Sequence, residues 1–498
     1  MGEGFFTRLR KALFGEKPPT PPRQPELSRR AEEKERKPEP RPSRPQVIAP
    51  AAKSGRDPLV FQVGFDFGTA YSKCIVRDIN LNKAWVFVPP GSGGHELPFL
   101  LPSRVAFDGT AFTVPGDHDL HYGAGLLTHL KMVWAGLESG AKDQTANTRY
   151  IAQTGRCSEK GELRAFAKSS ILYLLGGWLG AVKTEIRRRY PDFGRHPDDQ
   201  IAVNMAIPVA DAKEHAVRTS FERLLILAWN LADDLAGHPP IKQIELTDLI
   251  RGRDRDRTPE GDELCFVYPE VSANVQGFIR SRVSSPGLYL FSDAGAGTVD
   301  QSVFLFSQNN GPAPFLAYLA AQVHALGSSR IDQHAALAEG RETPQRFEYW
   351  RKQKESGASE PLLLAARKWV HAELGQRSVA PLAIAKRKLF QPKQLTKTQL
   401  IFGGGGHTRD PYETGVVEAF SHPIFGEGIT PAVLGMPNPQ DLELPRQQDR
   451  WLLRLSVAYG LSFTPVELAG FDYPEDNPDQ THTRSTKLKI TAPTKDDC

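Results

Sequence analysis

The stretch Val63–Lys73 reads VGFDFGTAYSK, and the rest of the chain is interpreted from it. An apolar strand runs into Asp66 and a glycine-containing turn, after which the apolar pattern resumes at Cys74. This arrangement predicts a β-hairpin. Gly68 lets a ligand approach the main chain, so the turn can present N–H groups to an anion. Asp66 stands where a carboxylate can hold a hydrated Mg²⁺.

Related strand-to-glycine patterns occur twice more along the chain. Residues 289–300 read YLFSDAGAGTVD, so Asp293 precedes a second glycine turn and Thr298 ends it. Residues 400–407 read LIFGGGGH, in which a third apolar strand runs into four glycines. Three strand-to-glycine turns, two of them preceded by an aspartate, predict two similar half-domains that close on one nucleotide.

In this order the motifs resemble the phosphate-1, phosphate-2 and adenosine motifs of the actin, sugar-kinase and heat-shock chaperone ATPase superfamily. The chain most resembles the nucleotide-binding domain of the seventy-kilodalton heat-shock chaperones, over about residues 60–465. The resemblance implies an α/β, actin-like ATPase fold with two ribonuclease-H-like lobes around a nucleotide cleft. It also implies ATP or ADP and Mg²⁺ as cofactors.

The resemblance implies catalytic and metal-binding roles for a few residues. Asp66 and Asp293 are expected to position hydrated Mg²⁺. Lys131 is expected to stabilise the transferred phosphoryl group, although the alternative is an ordinary exposed lysine in the helical stretch 125–134. The residue that orients the attacking water is expected to be one of Glu270, Thr298 and Asp300.

Nucleotide contacts are expected from the glycine turns and from a charged helical segment that follows the second turn. The residues expected to bind the nucleotide are Gly68, Thr69, Ala70, Tyr71, Gly295, Ala296, Gly297, Thr298, Gly327, Gly403, Gly404, Gly405, Glu348, Arg351 and Lys352. The last three lie within residues 341–395, which are expected to form a mostly helical lid over the purine.

Three further segments carry the resemblance. Residues 266–273 resemble the first connect motif of the chaperones, with proline before glutamate where the family has glutamate before proline. Residues 325–334 resemble the second connect segment, and residues 450–461 resemble the final Ala-Tyr-Gly helix. Glu270 is expected to head a helix over residues 271–278, to hold Mg²⁺-bound water and to signal nucleotide state across the hinge.

The two ends of the chain differ in composition from its middle. In residues 1–15 the apolar side chains occupy one arc of roughly 120° on a helix, with cations around the rest. This favours a basic amphipathic helix on an anionic membrane surface, and docking on a protein is the alternative. Residues 16–56 predict a disordered Pro-rich linker. The ATPase domain is expected at 57–465, followed by a polar tail over 466–498.

Composition excludes several classes of protein. A chain of 498 residues, 40% of them hydrophobic, can bury a large core. Its cysteines lie far apart, which suits a reducing cytosol. No long apolar region precedes a small-residue cleavage site, so a signal peptide is not expected. Without a run of about 18 apolar residues, a membrane-spanning helix is not expected either. The positive charge belongs to residues 1–60, which argues against a nucleic-acid-binding domain.

The sequence therefore predicts a Mg-ATP-binding, slowly hydrolysing, chaperone-like molecular switch, cytoplasmic and tethered by its N-terminus to the inner face of the cell membrane. Loss of the γ-phosphate is expected to switch lobe closure, because that group contacts both halves. A membrane-tethered, actin-like filament-forming ATPase and an ATP-sensing scaffold with little hydrolysis are the alternatives. A small-molecule kinase of the same superfamily is a further alternative, for which the sequence offers no convincing acid as substrate base. The polar tail at 466–498 is not expected to contain the chaperones' peptide-binding domain, so a protein client or partner subunit is expected to be held elsewhere.

Overall fold

A computed structural model describes most of the chain between residues 56 and 480. The described ranges are 56–92, 96–115, 125–140, 146–207, 214–255, 264–282, 284–308, 314–408, 411–426, 428–444 and 452–480. The predicted N-terminal helix, nearly all of the predicted linker and residues 481–498 lie outside these ranges.

The described residues form a mixed α/β fold. Its strands are β1 (Val60–Asp66), β2 (Tyr71–Asp78), β3 (Lys83–Val86), β4 (Leu101–Pro102), β5 (Val105–Phe107), β6 (Ala111–Thr113), β7 (Leu126–Leu127), β8 (Gln200–Ile207), β9 (Ile241–Lys242), β10 (Cys265–Pro269), β11 (Gly287–Ala294), β12 (Val299–Ser307), β13 (Phe315–His324), β14 (Gln399–Gly403), β15 (Ala432–Leu434), β16 (Leu442–Glu443) and β17 (Gly470–Asp472). Its α-helices are α1 (Leu130–Glu138), α2 (Ala146–Thr154), α3 (Lys160–Arg189), α4 (His215–Leu235), α5 (Gln243–Arg255), α6 (Glu270–Asn274), α7 (Gln276–Ile279), α8 (Ser329–Ala338), α9 (Pro344–Glu355), α10 (Pro361–Lys388), α11 (Tyr412–Glu418) and α12 (Leu452–Leu461).

Two mixed sheets with the same strand pattern form the framework. The first has the order β10-β8-β1-β2-β3-β16, and the second has the order β15-β14-β11-β12-β13-β17. In each, the central strand (β1 or β11) runs antiparallel to the next strand in sequence and parallel to a later one (β8 or β14). The third strand (β3 or β13) carries a parallel edge strand from near the end of the chain. We call the first sheet with its helices lobe 1 and the second lobe 2.

Helix α3 is the central core helix of lobe 1. Of the described helices, it alone is long and apolar enough to cross a membrane, but 78% of its most apolar window is buried inside the protein. It packs closely on α4, since a Cβ at Gly180 would lie 2.0 Å from the carbonyl oxygen of Ala232. Its apolar length is therefore explained by burial between the sheet of lobe 1 and neighbouring helices.

The lobes meet where α12 crosses α6. A Cβ at Gly460 would lie 1.7 Å from the carbonyl oxygen of Ala273, and one at Gly64 would lie 2.1 Å from that of Ala458. Glycine at both positions lets α12 lie against both α6 and β1. The end of β1, which carries Asp66, is thereby held next to the crossing.

Several element boundaries differ from the sequence expectation. Residues 125–134 are not one helix, because Leu126 and Leu127 pair with β5 as a strand and the helix begins only at Leu130. The single helix expected over residues 271–278, headed by Glu270, is divided into α6 and α7. Strand β17 pairs with β13, so the folded part of the chain extends beyond the predicted boundary at residue 465.

Candidate functional site

A cavity of about 520 Å³ lies between the lobes, and the β1–β2 and β11–β12 hairpins both line it. In the first hairpin Asp66 stands opposite Lys73, and in the second Asp293 stands opposite Asp300. The two loops therefore have the same length and place an aspartate at the same point. At the position opposite the aspartate, one hairpin has a cation and the other a carboxylate.

Asp293 lies in the most acidic part of the cavity wall. Its carboxylate is buried and accepts a hydrogen bond from Asn274 Nδ2 at 2.5 Å. Burial raises the pKa of Asp293 well above its ordinary value, and the nearby carboxylates of Glu270 and Asp300 raise it further. A bound cation would offset this repulsion and favour the ionised form.

The donor set suits a hydrated cation. Among the described residues no group of three His, Cys, Asp or Glu side chains is arranged to hold a metal directly. Mg²⁺ keeps several of its waters and takes only one or two carboxylates, so it does not need such a group. Asp66 Oδ1 is buried and has no hydrogen-bond partner in the described part of the chain, whereas Oδ2 accepts from Lys73 Nζ at 2.8 Å. Asp66 and Asp293 can therefore hold a hydrated ion through its waters.

Lys131 lies in the first turn of α1 and is buried in the cavity wall. Its Nζ donates to Glu270 Oε2 at 3.2 Å. Burial lowers the pKa of Lys131, but the surrounding carboxylates outweigh burial, and its pKa is raised overall. Those carboxylates belong to Glu270, Asp66 and Asp300. Lys131 is therefore a charged lysine of the cavity and not an exposed one.

The three residues expected to orient a water all line the cavity. Thr298 Oγ1 donates to Asp300 Oδ2 at 2.7 Å, which fixes both side chains at the end of the second loop. Glu270 is instead held by Lys131. A hydroxyl that donates its proton keeps its oxygen lone pairs for a water, so the Thr298–Asp300 pair can position one.

Most of the predicted nucleotide contacts line the cavity. They are Gly68, Thr69, Ala70, Tyr71, Gly295, Ala296, Thr298, Arg351, Gly404 and Gly405. Gly297, Gly327 and Gly403 are not among the lining residues. Gly327 N–H donates to the carbonyl of Gly297 at 3.3 Å, and a Cβ at Gly403 would lie 2.7 Å from Asn274 Nδ2. These glycines permit close packing and do not form the cavity surface.

The third glycine turn connects α12 to the second hairpin. Gly404 has φ +80°, and a Cβ there would lie 2.1 Å from Asp293 Oδ1. Its N–H donates to the carbonyl of Leu453 in α12 at 2.9 Å. A Cβ at Gly405 would lie 2.5 Å from Arg454 Nη1, so this guanidinium lies against the turn. Only glycine fits at position 404, because of both its backbone angle and the neighbouring carboxylate.

Of the three predicted contacts on α9, only Arg351 lines the cavity. Lys352 is exposed and points elsewhere, since neighbouring helix positions are rotated by about 100°. Glu348 also lies outside the lining, where its Oε2 accepts from Arg351 Nε at 2.7 Å. Lys352 and Glu348 therefore lie outside the cavity lining, and Glu348 positions Arg351.

Several charged or aromatic residues of the cavity wall were not among the predicted contacts, namely Lys73, Lys354, Arg367, Tyr412 and Arg454. Lys73 stood inside the first motif, and Lys354 follows Arg351 at the i+3 spacing of one helix face, so both carried a local signal. Lys354 Nζ donates to the carbonyl of Ser328 at 2.7 Å and to Asp332 Oδ2 at 2.8 Å. The other three come from distant parts of the chain.

Comparisons with known proteins identify no family for this chain. No protein-family model matches it, and no curated protein matches it. The features of the chain that bear on its function are the paired hairpins of the cavity, the acidic cluster around Asp293 and the buried lysine Lys131.

Proposed function

We propose that this chain is a Mg-ATP-binding ATPase of the actin and heat-shock chaperone type, in which nucleotide closes two ribonuclease-H-like lobes. One observation carries the proposal. Two hairpins of equal loop length, from sheets with the same strand pattern, line one cavity, and each places an aspartate at the start of its loop. Such a duplicated, glycine-containing cradle suits a polyphosphate that both lobes must grip.

The residues divide into three tasks in this proposal. Backbone N–H groups of the loops that follow Asp66 and Asp293 bind phosphate oxygens, apart from those of Gly68 and Gly295, which donate to carbonyl oxygens of their own turns. Lys131 places a positive charge where negative charge spreads over the transferred phosphoryl group. Asp66 and Asp293 hold hydrated Mg²⁺, which would neutralise phosphate charge when bound.

We assign the attacking water to the Thr298–Asp300 pair, because Glu270 is already held by Lys131. In this arrangement the Thr298 oxygen accepts from the water, and Asp300 keeps the hydroxyl oriented. Glu270 then positions Lys131 and adds negative charge beside the ion. This assignment is tested by comparing Thr298→Val with Glu270→Gln, since the first should lower turnover without changing the affinity for ATP.

The proposal also includes what the nucleotide does to the chain. Loss of the γ-phosphate removes contacts shared by both lobes, so hydrolysis opens them. The chain thus acts as a chaperone-like switch for a protein client or partner subunit, tethered at the membrane surface. The tether is the predicted helix at residues 1–15, which lies outside the described residues.

The experiment is steady-state ATP hydrolysis by the full chain with and without Mg²⁺, with light scattering recorded in the same samples. Asp293→Ala is compared with the control Asp198→Ala, which removes a 75% exposed carboxylate. Slow, Mg-dependent turnover that only Asp293→Ala abolishes would support the switch. ATP-dependent scattering would favour the filament-forming ATPase, and tight binding without turnover would favour the sensing scaffold. Failure to bind ATP would refute the proposal.

A further inference from the structure

Asn274 is a fully buried amide that donates to the aspartate of the second hairpin. Its Nδ2 lies 2.5 Å from Asp293 Oδ2, and the residue is 0% exposed. The amide oxygen Oδ1 is also buried and has no hydrogen-bond partner among the described residues. A buried carbonyl oxygen without a partner destabilises a fold, so the residue is best explained by what its amide nitrogen does. That nitrogen holds the carboxylate of Asp293.

A glycine at the end of β14 makes room for Asn274. Gly403 pairs with Asp293 across β11 and β14. A Cβ at Gly403 would lie 2.7 Å from Asn274 Nδ2 and 3.2 Å from Asn274 Oδ1. A larger residue at this position would push the amide away from the carboxylate. The bare backbone of Gly403 therefore provides the space that Asn274 occupies.

The residues before Asn274 fix α6 to both lobes. Ser272 Oγ lies 2.8 Å from the hydroxyl of Tyr318 in β13 of lobe 2, and both side chains are buried. The carbonyl of Ala273 lies against Gly460 of α12, and α12 packs on the sheet of lobe 1. A side chain on a backbone held in this way keeps one orientation, so Asn274 is preorganised for its partner.

The same short helix carries the partner of Lys131. Glu270 and Asn274 are four positions apart, so they lie on one face of α6, about 6 Å apart along its axis. Glu270 Oε2 accepts from Lys131 Nζ at 3.2 Å, and Asn274 donates to Asp293. One face of α6 therefore sets the lysine of lobe 1 and the aspartate of lobe 2 relative to each other.

The donor on Asp293 is neutral, whereas the donor on Asp66 is charged. Asp66 Oδ2 accepts from the ammonium group of Lys73. An amide N–H orients a carboxylate but adds no positive charge to it. Asn274 holds Oδ2 of Asp293, while Oδ1 lies beside the cavity-lining turn, 2.1 Å from where a Cβ of Gly404 would be. Oδ1 is therefore the oxygen that remains for the waters of a bound cation.

We propose that Asn274 is a positioning residue that presents Oδ1 of Asp293 to a hydrated divalent cation and thereby sets the affinity of the chain for that cation. That this cation is the Mg²⁺ of Mg-ATP rests on the proposed function, whereas the hold of Asn274 on Asp293 does not. Asn274 does not line the cavity, so it acts through Asp293 and not on the nucleotide. Removing a group that orients a metal ligand typically lowers metal affinity by about 10- to 100-fold. A cation held through its waters depends less on such a group, so a loss at or below the lower end is expected.

The test is the binding of Mn²⁺, a paramagnetic substitute for Mg²⁺, to the full chain with ADP, measured by the EPR signal of the free ion. Asn274→Ala should weaken Mn²⁺ binding by about threefold to tenfold and leave the affinity for ADP without metal unchanged. Asn274→Ser should give the same loss, because its hydroxyl is too short to reach Asp293. This second variant keeps a polar side chain and guards against a folding defect in Asn274→Ala.

The matched control is Gln276→Ala. Gln276 is likewise 0% exposed, its Nε2 donates to the carbonyl of Ser272 at 2.7 Å, and its Oε1 has no partner among the described residues. Its replacement removes a buried amide of the same kind from a place that does not contact Asp293. Mn²⁺ binding should therefore be unchanged in Gln276→Ala, even if its melting temperature falls as far as that of Asn274→Ala.

A double-mutant cycle separates positioning from a general effect on stability. In the background Asp293→Asn, Asn274→Ala should change Mn²⁺ affinity by less than about twofold, because the amide then has no charged carboxylate to orient. Fully additive losses would mean that the two residues act independently, and they would overturn the positioning role.

Mn²⁺ is also titrated into the full chain without nucleotide. If no adenine nucleotide binds, the proposed function fails, but weaker Mn²⁺ binding in Asn274→Ala than in Gln276→Ala still supports the positioning role. Equal Mn²⁺ affinity in the wild type and in both variants of Asn274 overturns it, with or without nucleotide. Failure of the wild type to bind Mn²⁺ under either condition overturns it as well.

Discussion

The two hairpins that line the cavity have loops of the same length but differ in charge. In β1–β2, Asp66 faces Lys73, and the two form an ion pair of 2.8 Å. In β11–β12, Asp293 faces Asp300, so this pair of strands carries two carboxylates. Lys73 therefore balances the charge of Asp66 within the first hairpin. In the second hairpin, positive charge beside Asp293 and Asp300 has to come from other residues or from a bound ion. This difference supports the proposal that a bound cation lies beside the second hairpin.

The loops of the two hairpins also differ in bulk. Four residues after the aspartate, the first loop has Ala70 and the second has Gly297. A Cβ at Gly297 would lie 2.1 Å from Met132 Sδ and 2.9 Å from Thr69 Oγ1. Side chains of lobe 1 therefore pack against bare backbone of lobe 2. Closure of the cavity depends on this difference, because the second loop must leave space for the first.

The largest expected effect comes from replacing Lys131, the buried lysine of the cavity wall. Lys131→Ala should lower ATP turnover by about 100-fold, since it removes a buried charge aimed at the developing negative charge. The measurement is phosphate release at saturating ATP, with Lys352→Ala as the control because that lysine is exposed on α9. Turnover within about twofold of the wild type would remove Lys131 from its assigned role.

A second prediction tests the difference in charge between the two hairpins. Asp293→Asn should weaken Mg-ATP binding by about tenfold, because the acidic hairpin loses the charge that attracts the cation. Asp66→Asn should cost less, about threefold, because it also releases Lys73 to face the phosphates. Calorimetric titration with and without Mg²⁺ measures both. Equal losses in the two variants would mean that the charge difference between the hairpins has no consequence for the cation.

A third prediction concerns the loops. Gly297→Ala should destabilise the protein by about 1–3 kcal/mol, since the new methyl group overlaps Met132 and Thr69. Ala70→Gly at the equivalent position should cost less than about 1 kcal/mol, the backbone-entropy term alone. Urea unfolding gives both values. Met132→Ala should recover part of the loss in Gly297→Ala, and no recovery would show that the strain lies elsewhere.

The smallest expected effect is a pH dependence without Mg²⁺. Burial and nearby carboxylates raise the pKa of Asp293 above its ordinary value of 3.8. The folded state therefore holds this proton more tightly, and its contribution to stability is lost as pH rises through the raised pKa. Between acidic and neutral pH, the melting temperature of the wild type should fall by about 1–3 °C more than that of Asp293→Asn.

Two comparisons control this measurement. Burial also raises the pKa of Asp332, to about 6, which acts in the same direction in both proteins and cancels in their difference. Mg²⁺ with nucleotide should abolish the difference, since a bound cation favours the ionised form of Asp293. Parallel melting curves across the pH range without Mg²⁺ would contradict the expected protonation of this carboxyl group.

The sequence predicted those parts of the site that are local. A strand, a glycine turn and a second strand are neighbours in the chain, so Asp66 and Asp293 were placed correctly beside their turns. The same local pattern failed at residues 125–134, because Leu126 and Leu127 pair with β5, and this pairing overrides helical periodicity. Lys131 nevertheless lies in the wall, since the helix begins just before it.

By itself, then, the sequence determined the two aspartate hairpins, the glycine turn at 403–406 and the mixed α/β class, because each depends on residues close together in the chain. Only the tertiary structure decided which side chains face the cavity and which lie behind it. Arg351 and Tyr71 are 280 positions apart, and nothing in their local sequence relates them. Contacts of that kind arise when two lobes close on each other, so their geometry is set by packing between the lobes and not by local pattern.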